Sequence, residues 1–240
     1  MGVKKKVTVS WSGGKDSAFA LFKILAQNDL EVVSLHTVLN ADNRRVGLHG
    51  VHQDLIEKQA AALGIGLVKL YLDPSMDHAA YEKLMRGFYH DCSRSGIDGV
   101  VFGDIFLEDL KQYRLNILDH SGLEGIFPLW GLETGTMITD FINVGFKTII
   151  CAADKRHFDQ TVPGKTIDHN FVDSLPAGVD ACGENGEFHT FVYDGPVFRS
   201  PVVFTLGSTV ERVYQYQVMQ SDGSVSQAES VFLFKEIEQG

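Results

Sequence analysis

The sequence predicts an α/β protein: a parallel, Rossmann-like sheet covered by helices, followed by a smaller α+β part. Three observations carry this. Continuous apolar runs alternate with helical periodicities over the first half, as in strands buried on both faces. A glycine turn, Ser12-Gly13-Gly14-Lys15-Asp16-Ser17, joins the first apolar run to the first helix. After Pro128-Leu129-Trp130-Gly131, glycine and proline become denser and short strands dominate.

Taken in order, Val7-Thr8-Val9 is a strand and Ala18 to Leu25 a helix. Glu31 to Val38 reads as a buried strand, and Leu39 to Arg45 as a polar loop. A helix is expected over Val51–Leu63, with Gly64 as its C-cap. Leu67–Leu72 is the third strand, Pro74 punctuates, and a helix runs from His78 to about Ser93. There Phe88 and Tyr89 read as core. Val100–Asp104 is the fourth strand, and Ile105–Leu118 is helical. In the second half a helix is expected at Thr136–Val144 and a strand at Lys147–Ala152. Further strands are expected at Phe188–Tyr193, Val197–Phe204, Val210–Met219 and Val231–Glu236. Ser221-Asp222-Gly223-Ser224 is a hairpin turn. The joint at residue 128 divides the chain into 1–128 and 129–240.

The chain has 240 residues, a net charge of −10 and 44% hydrophobic residues, which is enough for a sizeable core. The acidic balance argues against broad nucleic-acid binding. No apolar run is long enough to span a bilayer, and the run behind Lys4-Lys5-Lys6 is broken at once by Ser12-Gly13-Gly14. A cytoplasmic location is the expectation. Cys92, Cys151 and Cys182 lie far apart with no C-x-x-C, so reduced thiols are expected. Oligomeric state is not legible, and a homo-oligomer stays open.

A glycine turn at a helix N-terminus suits an anion, because N–H groups point outward and no Cβ blocks approach. Lys15 adds a charge, and Ser12 and Ser17 add hydroxyls. The spacing fits neither G-x-x-x-x-G-K-[ST] nor G-x-G-x-x-G. Ser-Gly-Gly-Lys-Asp-Ser resembles the pyrophosphate-binding loop of the N-type ATP pyrophosphatases, the PP-loop superfamily. That resemblance implies an adenine nucleotide alpha hydrolase-like sheet. It also implies ATP held by its β- and γ-phosphates, with attack on the α-phosphate. Nucleotide contacts are then expected from Ser12, Gly13, Gly14, Lys15, Asp16, Ser17, His36, Thr37, Gly103 and Asp104. These segments meet at the C-terminal rim of a parallel sheet.

Several residues carry competing readings. Asp104 either binds nucleotide or magnesium, or is a helix N-cap. Arg114 either reaches a phosphate or substrate carboxylate, or is solvated. His36 at a strand end either touches the nucleotide or is a satisfied rim histidine. His49 and His52 straddle a helix start, where capping is the simpler reading. The turn Asp180–Thr190 packs a thiol, carboxylates and an imidazole together. It is a polar hairpin, a metal site with unusual spacing, or a second-substrate site. Cys182 reads as a small packed residue rather than a nucleophile.

Gly-Asp-Ile at 103–105, Pro-Leu-Trp at 128–130 and Gly-Glu-Asn-Gly-Glu-Phe-His-Thr at 183–190 occur in order after the loop. Together they resemble the diphthine–ammonia ligase family over roughly residues 5–205. The tail from about Thr205 carries no motif of that family, and the extra C-terminal domains of its long eukaryotic members are not legible. The resemblance implies two domains, 1–128 binding ATP and 129–240 binding substrate. It implies an AMP-forming ligase in diphthamide biosynthesis that adenylates a carboxylate, releases pyrophosphate and transfers ammonia. The acid it implies is diphthine on elongation factor 2, in archaea and eukaryotes. ATP and Mg²⁺ are the expected cofactors, with Asp16 and Asp104 toward the metal. Catalytic roles fall to Lys15, Asp16, Glu184, Glu187 and His189, and substrate contacts to Arg114, Trp130, Glu184, Asn185, Glu187 and His189. A tRNA-modifying relative and a nucleotide-binding regulator without turnover are the alternatives.

Overall fold

The computed structural model of the chain describes residues 3–73, 75–219 and 225–240. Five parallel strands, β1 (Lys5–Ser10), β2 (Leu30–Asn40), β3 (Leu67–Leu72), β4 (Gly99–Val101) and β5 (Glu124–Ile126), form a sheet in the order β3-β2-β1-β4-β5. The chain moves outward from β1 to β3, then returns to β1's other side at β4. Strand order therefore reverses between β1 and β4, and a crevice opens beyond their C-terminal ends. The connecting helices are α1 (Lys15–Leu25), α2 (Gln53–Leu63), α3 (His78–Arg94) and α4 (Glu108–Leu118).

After α5 (Thr134–Asn143), a second sheet is antiparallel. Its strands are β6 (Lys147–Asp154), β7 (Phe188–Asp194), β8 (Phe204–Met219) and β9 (Val225–Gln239), in the order β7-β6-β9-β8. A short helix, α6 (His169–Asp173), lies between β6 and β7. One buried cluster runs through both sheets, from Val7, Val9 and Phe19 to Phe141, Ile150 and Phe191. Phe19 of α1 meets Phe141 and Phe146 edge-on, which closes the core between the two sheets. Among the described residues no helix is long and apolar enough to cross a membrane.

The α/β architecture agrees with the sequence, and the differences have local causes. β2 runs through Leu39 and Asn40, which pair with Tyr71 and Leu72. α4 begins at Glu108, not Ile105, because Ile105's backbone is engaged elsewhere: its N–H donates to Glu184 and its carbonyl accepts from Gly131. No strand forms over 197–203. Pro196 and Pro201 lack the N–H a ladder needs, and Arg199 N–H instead donates to Ala62 O. β9 is longer than the segment expected, and β5 and α6 carry no pattern that marks them. Pro74 and the expected hairpin turn at 221–224 lie outside the described residues.

The glycine turn after β1 is stitched to the second sheet. Gly13, at φ +81°, offers its carbonyl to Val192 N–H of β7. Gln59 of α2, fully buried, donates to Gly13 O and Val192 O and accepts from Trp11 Nε1 at 2.9 Å. Gln59→Leu keeps most of the volume and strands these polar groups in the core. The expected loss is about 2–4 kcal/mol of unfolding free energy in a urea titration; a loss under about 1 kcal/mol would show that the clamp is dispensable.

Candidate active site

A cavity of about 720 Å³ opens at the reversal point, a size typical of small-molecule sites. The turn after β1 contributes Ser12, Asp16 and Ser17, the end of β2 contributes Val38, Leu39 and Asn40, and Phe102, Gly103 and Asp104 follow β4. Arg114 of α4 closes one side, while Glu184 from the turn before β7 and His189 of β7 reach in from the other.

Within the turn, Ser12 Oγ lies 3.4 Å from Ser17 Oγ and accepts from Gly14 N–H, and Ser17 Oγ donates to Gly14 O. The Lys15 N–H donates to Thr190 Oγ1 at 2.9 Å. The Gly14 and Lys15 amides are thus engaged by protein groups, and Gly13, Gly14 and Lys15 do not line the large cavity. Lys15 is buried, with its Nζ on both Asp16 carboxylate oxygens at 2.8 and 2.9 Å. Burial opposes the charge, but Asp16 more than compensates, and the Lys15 pKa ends above its ordinary value. Gly103 has its own reason to be glycine: a Cβ there would sit 2.8 Å from the Asp16 carbonyl carbon. It lets the end of β4 meet the first turn of α1, rather than making room for a ligand.

Asp104 is not an N-cap, since Leu107 holds that place. Its carboxylate is buried in the cavity wall, with Oδ2 at 3.7 Å from Arg114 Nε and lacking a hydrogen-bond partner. Burial pushes its pKa up, against the pull of Arg114. Arg114 is not solvated; its guanidinium also packs over Phe102. Glu184 bridges the two sheets, accepting from Ile105 N–H at 2.9 Å. Burial first, then the negative charge of Asp16, pushes its pKa up to about 7.

Several expected residues do not reach the cavity. His36 is mid-strand and buried, with Nδ1 3.1 Å from Thr8 Oγ1 and its ring against Phe88 and Tyr89. Burial drops its pKa to about 3, so it is a neutral core group. Thr37 is likewise buried in the sheet. Trp130 packs against Lys111, whose Nζ lies 4.0 Å from the ring centroid. Glu187 folds its own turn: its carboxylate accepts from Asp180 N–H, Asn185 N–H and the Asn185 amide. Asn185 is exposed. Cys182 is packed as expected, donating to Thr134 O, and burial lifts its thiol pKa to about 12.

Conversely, His49 is a site residue and not the cap that its place in the sequence suggests. His52 caps α2, whereas His49 lines the cavity, with Nδ1 3.0 Å from Thr190 O and its ring centroid 5.0 Å from that of His189. Gln59 and Thr190, which hold the turn in place, are equally unmarked in the sequence. No periodicity or spacing within one segment signals these contacts.

Two family models match the chain: the diphthamide synthase N-terminal domain over residues 5–125 and the C-terminal domain over residues 133–217. The chain belongs to the diphthamide synthase family. The match continues past Thr205, into β8, where no family motif is legible. The diphthine–ammonia ligase of Danio rerio is 26% identical over 231 residues, covering 83% of this chain and 86% of that protein. Those of Mus musculus and Homo sapiens are each 24% identical and cover 82% of both chains. The family is one of ATP-dependent amide-forming ligases, as the motifs implied. Among solved structures, the U34-tRNA thiolase NcsA from Methanococcus maripaludis is similar over 60% of this chain and 58% of its own. Its TM-score of 0.38 and 18% identity are too slight to bear on function.

Glu184 gives a stability test. Its folded pKa of about 7 exceeds the ordinary 4.5, so the folded state binds its proton more tightly than the unfolded state does. The buried charge therefore destabilises the protein fully above about pH 7, and the effect fades as pH falls toward 4.5. Glu184→Gln keeps the acceptor for Ile105 and removes the charge. Without nucleotide it should be about 2 kcal/mol more stable than the parent at pH 8, with the gap closing by pH 4.5. Melting curves at both values check this, and an equal gap at both would refute it.

Proposed function

We propose that this chain is an ATP-dependent amide ligase that adenylates the carboxylate of diphthine on elongation factor 2 and transfers ammonia to it. The supporting observation is that one cavity gathers the hydroxyls of Ser12 and Ser17, the Asp104–Arg114 pair, and Glu184 and His189 from β7 and the turn before it. A carboxylate is a poor electrophile, and AMP is a good leaving group. A substrate carboxylate oxygen attacks the α-phosphorus, and pyrophosphate leaves with the bonding electrons. Ser12 and Ser17 orient phosphate oxygens, and Lys15 behind the turn offsets developing negative charge. Arg114 faces the acid.

Nitrogen then attacks the acyl carbon and AMP departs. Ammonium gives up two protons in all, the first to Glu184, whose pKa near neutrality suits a general base, and the second to solvent. His189 lines the route between the two substrates. Glu187, Asn185, Gly13 and Gly14 support these groups through the turns they form. His36 and Thr37 act through the sheet, and Trp130 through its packing on Lys111.

Magnesium is implied by the family. Among the described residues no group of three His, Cys, Asp or Glu side chains is disposed to hold a metal. Two carboxylates with nucleotide phosphates suffice for magnesium, however, and the unpartnered Asp104 Oδ2 is the right kind of donor. Asp16 and Asp104 would hold it, and it would supply charge neutralisation on the pyrophosphate.

The test is product analysis. With ATP, Mg²⁺, ammonium and diphthine-bearing elongation factor 2, AMP and pyrophosphate should form in equal amounts with the amide. Lys15→Met should lower kcat/KM for ATP by about 100-fold, roughly 3 kcal/mol of transition-state stabilisation. ADP as the product, or full activity in Lys15→Met, would overturn the proposal.

A further inference from the structure

Next to the large cavity is a second, of about 120 Å³. Asp16, His49, Glu184 and His189 line both, while Lys15 and Phe188 line only the small one. A guest in the small cavity is therefore one side chain away from a guest in the large one.

Beside the imidazoles, the titratable groups on its wall are Lys15 and Asp16, which pair with each other, and Glu184. Burial lowers the pKa of both His49 and His189, so the imidazoles stay neutral. With Lys15 taken up by Asp16, the remaining wall, two neutral imidazoles and a carboxyl group, suits an ammonium ion or neutral amine. The hydrogen bonding of His49 fixes its tautomer. Thr190 O can only accept, so Nδ1 carries the hydrogen and Nε2 is left with a bare lone pair. His189 Nε2 is buried and has no hydrogen-bond partner. The Phe188 ring, with Lys15 Nζ 5.6 Å from its centroid, already faces one ammonium group. A water's share of liquid volume is about 30 Å³, so the cavity has room for an ammonium ion with a few waters.

We propose that the small cavity is the ammonia subsite, with His49 and His189 as the positioning residues that hold the nitrogen beside the nucleotide cavity. This rests on the ligase reading above.

The experiment follows the imidazoles directly. The full chain, labelled with ¹⁵N-histidine and saturated with a non-hydrolysable ATP analogue and Mg²⁺, is titrated with ammonium chloride against sodium chloride at constant ionic strength. His49→Gln and His189→Gln assign the two signals. Both should shift saturably with ammonium and not with sodium. Tetramethylammonium should need at least a tenfold higher concentration than ammonium. No saturable shift, the same shift with sodium, or equal response to tetramethylammonium would overturn the subsite. The readout needs no turnover. Saturable shifts without AMP formation would sink the ligase reading and leave an ammonium site. Amide formation without shifts would sink the subsite alone.

Discussion

The site depends on the backbone bond between a glycine turn and a strand more than 170 residues away in sequence. Gly13 O accepts from Val192 N–H, and Lys15 N–H donates to Thr190 Oγ1, so β7 serves as a template for the turn after β1. Gln59 completes the arrangement by satisfying both Gly13 O and Val192 O. In a buried setting each of these polar groups needs a partner, so alternative turn conformations are costly. The turn is thereby held with Ser12, Asp16 and Ser17 on the cavity side and its amide donors inward. The same register brings Thr190 and His189 to the rim, beside His49.

Charge is arranged with equal constraint. Lys15 is buried and matched by Asp16, and Arg114 is matched loosely by Asp104. Glu184 has no such match, and burial, followed by the negative charge of Asp16, raises its pKa. A cavity wall with one unmatched acidic group favours a cationic guest. The buried imidazoles contribute lone pairs rather than charge.

Much of the first sheet was legible because buried parallel strands are continuous apolar runs and amphipathic helices repeat on a fixed period. The turn motif was legible because its residue types are locally specified. What failed to show was long-range. His49 meets Thr190 across 141 residues and Gln59 meets Val192 across 133, and neither partner leaves a mark on the other's segment. Glu187 is ambiguous in the sequence for a different reason. A carboxylate that folds a turn and one that binds a ligand have the same letter and the same neighbours. Only the hydrogen bonds to Asp180 and Asn185 separate the two. His36 lies mid-strand because β2 does not end where its polarity rises.

The last strand, in the stretch without a legible motif, reaches back to the large cavity beside the first sheet. Arg45 ties Gly50 O to Glu236 of β9, and Phe234 leaves no room for a Cβ on Gly50. The segment 46–49 that this bracket supports is one wall of the large cavity. The chain's end is therefore a buttress for a wall built near its beginning. Trimming it would loosen that wall while every motif residue stayed in place.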